Sequence, residues 1–163
     1  MKKINTNLNE LKLVGITCRT SNIAEMNPNS AKIGQTLQHY FHGAMADKIN
    51  NRQNPGVTYC IYTNYESDVN GEYTYFVGEK VSSFDNVSSD FQELIIPAQN
   101  YVKFTTEAGP MPKVCIEAWQ KIWAMDSDEM DGTRNYIADF EIYDARAQDP
   151  SHTVLDIFIG IES

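Results

Sequence analysis

Two stretches of helical apolar periodicity, each followed by two strand-like runs, limit what this chain can become. In the first, Ile33, Leu37, Tyr40, Phe41, Ala44, Met45 and Ile49 recur at helical spacing. In the second, Val114, Cys115, Ala118, Trp119, Ile122 and Trp123 fall at i, i+1, i+4, i+5, i+8 and i+9, one continuous stripe. A striped helix must bury its stripe, and sheet runs of the same chain are the available surface. Asn27-Pro28 reads as cap and first position of the first helix, and Gly109-Pro110-Met111-Pro112 opens the second.

Strand-like runs flank both helices in the same order. Residues 11–17 precede the first, and 57–62 and 73–77 follow it, with Asn70-Gly71 as the turn signal between them. Residues 101–105 precede the second helix, and 136–143 and 153–161 follow it. The polar stretch 82–90 reads as the link between halves. The expected fold class is α+β: a tandem strand–helix–strand–strand repeat forming an antiparallel sheet. Both helices would lie on one face, with a ligand cleft at the pseudo-twofold junction. A chain of 163 residues suits one domain, residues 1–163, with pseudo-repeats of about 1–88 and 89–163.

Charge excludes some functions. The formal net charge of −9 and the lack of a basic stripe argue against direct nucleic-acid binding, which needs clustered Lys and Arg. An acidic field favours a cationic partner. No apolar run approaches the ~20 residues that span a bilayer. The start, Met1-Lys2-Lys3-Ile4-Asn5, carries no apolar signal segment, so a cytoplasmic location is expected. Cys18, Cys60 and Cys115 are far apart in apolar segments and read as buried thiols rather than disulfides or metal ligands. His39 and His42 have a metal-compatible spacing but no accompanying acid or thiol, so no metal or cofactor is expected. The acidic run at 126–132 fails the register of a calcium loop.

The chemistry-bearing candidate is Glu141, set in the apolar run Asp139-Phe140-Glu141-Ile142-Tyr143. A carboxylate among large apolar neighbours loses hydration and needs compensation. Three readings stand: counter-charge to a bound ligand, internal ion pair with Lys103 or Arg146, or exposure on a half-wet sheet. Strand alternation puts Glu141 with Tyr143, Asp156 with Phe158, Tyr59 with Ile61, and Tyr73 with Tyr75 and Val77. Aromatic rings around a carboxylate suit an organic cation, because ring faces attract the charge while excluding water. Tyr59, Tyr75, Tyr143 and Phe158 are therefore candidate ligand-binding residues beside Glu141. The competing reading makes them cross-strand aromatic pairs. Trp119 and Trp123 fit the apolar stripe of their helix.

Several stretches together resemble the GyrI-like effector-binding domain, also found in AraC-type and MerR-type multidrug-responsive regulators. They are Val14-Gly15-Ile16, Tyr73-Thr74-Tyr75-Phe76-Val77-Gly78, the run from Ile96-Pro97 to Lys103-Phe104, Glu107-Ala108-Gly109-Pro110, Ala118-Trp119, Phe140-Glu141-Ile142-Tyr143 and Asp156-Ile157-Phe158-Ile159-Gly160-Ile161. The resemblance implies an aromatic cleft for hydrophobic, often cationic compounds, with Glu141 as its buried glutamate and Tyr75 as its hairpin-strand tyrosine. It also brings Trp119 toward the cleft. Gly160 stands where the family usually has proline. The chain resembles a stand-alone member, similar to integron-cassette drug-binding proteins. The resemblance implies non-catalytic binding of a hydrophobic organic cation, read out by a separate DNA-binding protein where a response is needed. An uncovered edge strand would permit a homodimer. Two other activities come with the resemblance: hydrolysis of reactive cyclopropane-bearing compounds through the same glutamate, and a protein-interaction role such as gyrase inhibition.

Overall fold

The structure is a computed structural model that describes residues 1–162. Eight strands form one antiparallel sheet: β1 (Lys2–Leu8), β2 (Leu11–Ser21), β3 (Thr58–Thr63), β4 (Glu72–Lys80), β5 (Gln92–Ile96), β6 (Gln99–Thr105), β7 (Arg134–Tyr143) and β8 (Asp156–Ile161). The helices are α1 (Asn22–Glu25), α2 (Ile33–His42), α3 (Lys113–Ala124) and α4 (Ser127–Met130). The α+β class and the two long helices on one sheet face are as the stripes require. Among the described residues, no helix is long and apolar enough to cross a membrane.

The strand order is β1-β6-β8-β7-β3-β4-β2-β5. It is palindromic: β6-β8-β7 mirrors β2-β4-β3, and the centre falls between β7 and β3. Two strands, β1 and β5, were not expected. Each crosses to the far edge and pairs with the other half, β1 with β6 and β5 with β2. Lys2–Leu8 is polar and mostly exposed, so it carries no apolar alternation; backbone pairing with β6 holds it.

This exchange forces the sheet to curl. β1 and β2 stand six positions apart in the order, about 29 Å in a flat sheet. Asn9 and Glu10 alone link them, so Leu8 and Leu11 lie within about 11 Å. Pro97 and Ala98 impose the same limit between β5 and β6. The sheet therefore closes around its own inner face. Leu13, Tyr59, Ile61, Phe76, Tyr101, Phe140 and Phe158 are buried there in a cluster built from strand residues without any helix. At the bend, Gly15 lies opposite Gly78, and a Cβ on Gly78 would sit 2.2 Å from the Val14 carbonyl and 2.8 Å from the Phe76 ring.

The outer face carries the helices. α2 packs on β2 and β4 around Tyr40, Ile16, Tyr75 and Val77, and α3 packs on β6 and β8 around Ile122, Phe104, Ile157 and Ile159. The start of α2 differs from expectation. Asn27-Pro28 lies in a turn after α1, and the Glu25 carboxylate accepts from the Lys32 and Ile33 amides instead. A carboxylate also suits the positive end of a helix better than a neutral amide does. His39 and His42 are exposed.

Gly78→Ala is expected to destabilise by about 1–3 kcal/mol, as overpacking against backbone does. Gly34→Ala, where added carbon meets nothing within 4 Å, is expected to stabilise by about 0.5–1 kcal/mol. Urea denaturation midpoints of the two variants should move in opposite directions.

Candidate functional site

The central strand pair builds the site floor. β3 and β7 pair antiparallel, with Cys60 opposite Glu141 and Tyr62 opposite Asp139. Side chains of Cys60, Tyr62, Asp139, Glu141 and Tyr143 therefore share the helix-bearing face. β4 adds Tyr73 and Tyr75, and α3 lays Cys115 and Trp119 over the floor.

Glu141 is 3% exposed. The Trp119 indole N–H donates to its Oε2 at 2.6 Å, the Cys115 thiol approaches the same oxygen at 3.4 Å, and the Tyr143 hydroxyl donates to Oε1 at 3.0 Å. Tyr62 also helps hold the charge. Burial pushes the Glu141 carboxyl above its ordinary value, and these donors restrain the rise. The phenol of Tyr143 and the thiol of Cys60 are pushed up by burial and by the neighbouring carboxylate.

The other buried acids of the sheet each have a cation. Asp139 takes Arg134 at 2.6 Å, together with the Tyr65 hydroxyl at 2.5 Å and the Gly160 amide at 2.8 Å. Glu79 takes Arg52 at 3.4 Å. Asp156 takes Arg146 at 2.6 Å and Lys103 at 3.7 Å. The internal partners considered for Glu141 thus belong to Asp156. Glu141 has no ion pair among the described residues. Its donors carry no formal charge.

A cavity of about 210 Å3 opens beside it, between the start of α2, the β3–β4 loop and α3. Cys115 and Trp119, which contact the carboxylate, form its inner wall together with Tyr62. Tyr65 and Tyr73 continue that wall, and Ile116 and Trp123, each about half exposed, stand at its mouth. Tyr62 is the hub of the aromatic cluster. Its ring centroid lies 5.1 Å from Trp119, 5.3 Å from Tyr75 and 5.5 Å from Tyr73, all edge-on.

Of the residues singled out from sequence, Glu141, Tyr143 and Trp119 come together here. Tyr75 is buried behind Tyr62. Tyr59 and Phe158 do not reach this place. Both lie on the inner face, where Tyr59 packs against Phe140 and Phe158 stacks on Phe140 at 4.7 Å. Both faces of β3 bear tyrosine, so alternation alone does not say whether Tyr59 or Tyr62 meets the helices. The register with β7 decides it. Cys115, Tyr62 and Tyr65 were missed for that reason, and because a thiol on an apolar stripe reads as filler.

The fold and this site define a class: effector-binding domains of the GyrI-like type. The profile of the integron-associated effector binding protein family matches residues 6–161, and the chain belongs to that family. It is 28% identical over 157 residues to YobU of Bacillus subtilis (strain 168), provisionally named a transcriptional regulator, covering 96% of each chain. Among solved structures it is similar to an integron cassette protein from the mobile metagenome of Vibrio cholerae. That match has 28% identity, a TM-score of 0.79, and coverage of 98% of this chain and 95% of that one. SAV2435, solved bound to tetraphenylphosphonium, shares the fold at 17% identity with a TM-score of 0.76, covering 100% of this chain and 95% of that one. Small-molecule binding is therefore the activity to which membership of this effector-binding family points.

Glu141 should leave a pH signature. Its pKa is higher folded than unfolded, so the folded state holds more protons between the two values. Stability is then expected to fall as pH rises from the ordinary carboxylate range through the folded pKa. Thermal unfolding of wild type and Glu141→Gln across pH 4–8 should show this slope in wild type and a shallower one in the variant.

Proposed function

We propose that this protein binds hydrophobic organic cations without transforming them, with Glu141 as the counter-charge. The observation that carries the reading is the buried carboxylate held by neutral donors beside an aromatic cavity. The Trp119 N–H sits where a ligand's positive charge would act, and its displacement would bring the carboxylate into the cavity. A unit charge at about 4 Å gains about 4 kcal/mol at the effective dielectric of a protein site. Tyr62, Tyr73, Trp119 and Trp123 would supply ring faces, each worth about 0.5–2 kcal/mol toward a cation. Support for this ligand class also comes from SAV2435, which shares the fold and was solved with an aromatic cation. Tyr143 and Tyr75 act in this reading by holding Glu141 and Tyr62 in place.

A hydrolytic reading has one observation in its favour. The raised carboxyl of Glu141 lies 3.0 Å from the Tyr143 hydroxyl, an arrangement suited to proton transfer. Product release from a cyclopropane electrophile, absent in Glu141→Gln, would favour it over simple binding.

Tryptophan emission should report the binding, because Trp119 and Trp123 border the cavity. Titration with tetraphenylphosphonium and with neutral triphenylphosphine oxide is expected to show preference for the cation. Glu141→Gln should reduce that preference at least about tenfold, or about 1.4 kcal/mol. Equal affinity for both compounds in wild type, or an unchanged preference in the variant, would refute the counter-charge role.

A further inference from the structure

The cavity beside Glu141 carries a second acid in its wall. Glu25 lines it from α1, while Cys115, Ile116, Trp119 and Trp123 line it from α3. The Asn22 amide group donates to the Val69 carbonyl at 3.0 Å, which ties α1 to the β3–β4 loop at the cavity rim. The Glu25 carboxylate is held by neutral donors, as that of Glu141 is. Its Oε2 accepts from the Thr20 hydroxyl at 2.5 Å and the Lys32 amide at 2.8 Å, and its Oε1 accepts from the Ile33 amide at 3.1 Å. As the positive end of α2, those amides offset part of the charge without supplying a cation.

The bases beside it are engaged elsewhere. The Lys32 ammonium donates to the Arg19 carbonyl at 2.9 Å. The Arg19 guanidinium donates to the Asn64 carbonyl at 2.6 Å and lies 3.8 Å from Glu72. Arg134 is the one cation on the cavity wall among the described residues, and Asp139 neutralises it at 2.6 Å. The cavity is thus left with two acids, Glu25 and Glu141, that no cation among the described residues matches. Tyr73, also on the wall, lies in the field of both. Burial pushes its phenol up, and the two carboxylates add to the rise.

We infer that Glu25 is a second counter-charge of this cavity, and that the ligands it takes best are flat aromatic dications, one charge toward Glu141 and the other toward Glu25. A monocation can meet only one of the two acids. A second positive charge placed near Glu25, at a partly exposed site, is worth about tenfold in affinity. The rings of Tyr62, Tyr65, Tyr73 and Trp123 line the space in which the flat body of such a ligand would lie. The inference rests on the cation-binding reading of Glu141, and the part it gives to Glu25 has a test of its own.

The probes are methyl viologen and 1-methyl-4-phenylpyridinium, which share a two-ring shape and carry two charges and one. Isothermal titration calorimetry on the intact chain measures both, and circular dichroism melts confirm that each variant is folded. Wild type is expected to bind the dication about tenfold or more tightly than the monocation. Glu25→Gln should remove most of that ratio. Glu25→Asp, which disturbs the same hydrogen bonds but keeps the charge, should retain most of it. Glu93→Gln removes an exposed acid of β5 outside the cavity and should leave the ratio in place, which separates a local counter-charge from the protein's overall acidic field. Equal affinity for the two probes in wild type, an unchanged ratio in Glu25→Gln, or equal losses in Glu25→Gln and Glu25→Asp or in Glu25→Gln and Glu93→Gln would overturn the inference. Monocation binding without a dication preference would sink the role of Glu25 alone. Failure of wild type to bind either probe up to about 1 mM would sink the cation reading and this inference with it.

Discussion

A carboxylate buried with neutral donors alone is the interaction on which the rest of this structure turns. Removing an ionised group from water costs several kcal/mol, and hydrogen bonds return part of it. The sheet shows what full compensation looks like, in the Arg134–Asp139 and Arg146–Asp156 pairs. Glu141, next but one to Asp139 along β7, receives an indole, a thiol and a phenol instead. Those donors hold the charge without cancelling it. An incoming cation can cancel it, so the incomplete local balance is itself a source of affinity and of charge selectivity.

The fold makes that arrangement affordable in shape. Exchange of β1 and β5 between halves curls the sheet, and the curl buries an aromatic inner face without a helical layer. Both long helices are then free to sit on the outer face, one on each half, with β3 and β7 forming the groove floor between them. Glu141 lies at the centre of that floor because β3 and β7 are the central strands.

Much of this was legible in the sequence. The two apolar stripes located α2 and α3, and the flanking runs located six of the eight strands. Glu141 stood out because Phe140 and Ile142 bracket it. The missing strands were silent for physical reasons. β1 is held by backbone pairing at an edge, and Gln92–Ile96 of β5 lacks a clean alternation. The site was half legible. Which tyrosines join Glu141 depends on strand register, a long-range property, and Phe158 fell on the inner face because its strand neighbours Asp156 and Gly160 carry no pattern separating the faces. Trp119 reads as a core residue by periodicity and is one, while its indole nitrogen also serves the carboxylate.

The central claim is that Glu141 carries an uncompensated charge. A 13C-carboxyl NMR titration of Glu141, free and with tetraphenylphosphonium, tests it most directly. The account predicts a pKa above the ordinary carboxylate value in the free protein and a downward shift when the cation is bound. A free-protein pKa at or below the ordinary value, or one that the cation leaves in place, would contradict it.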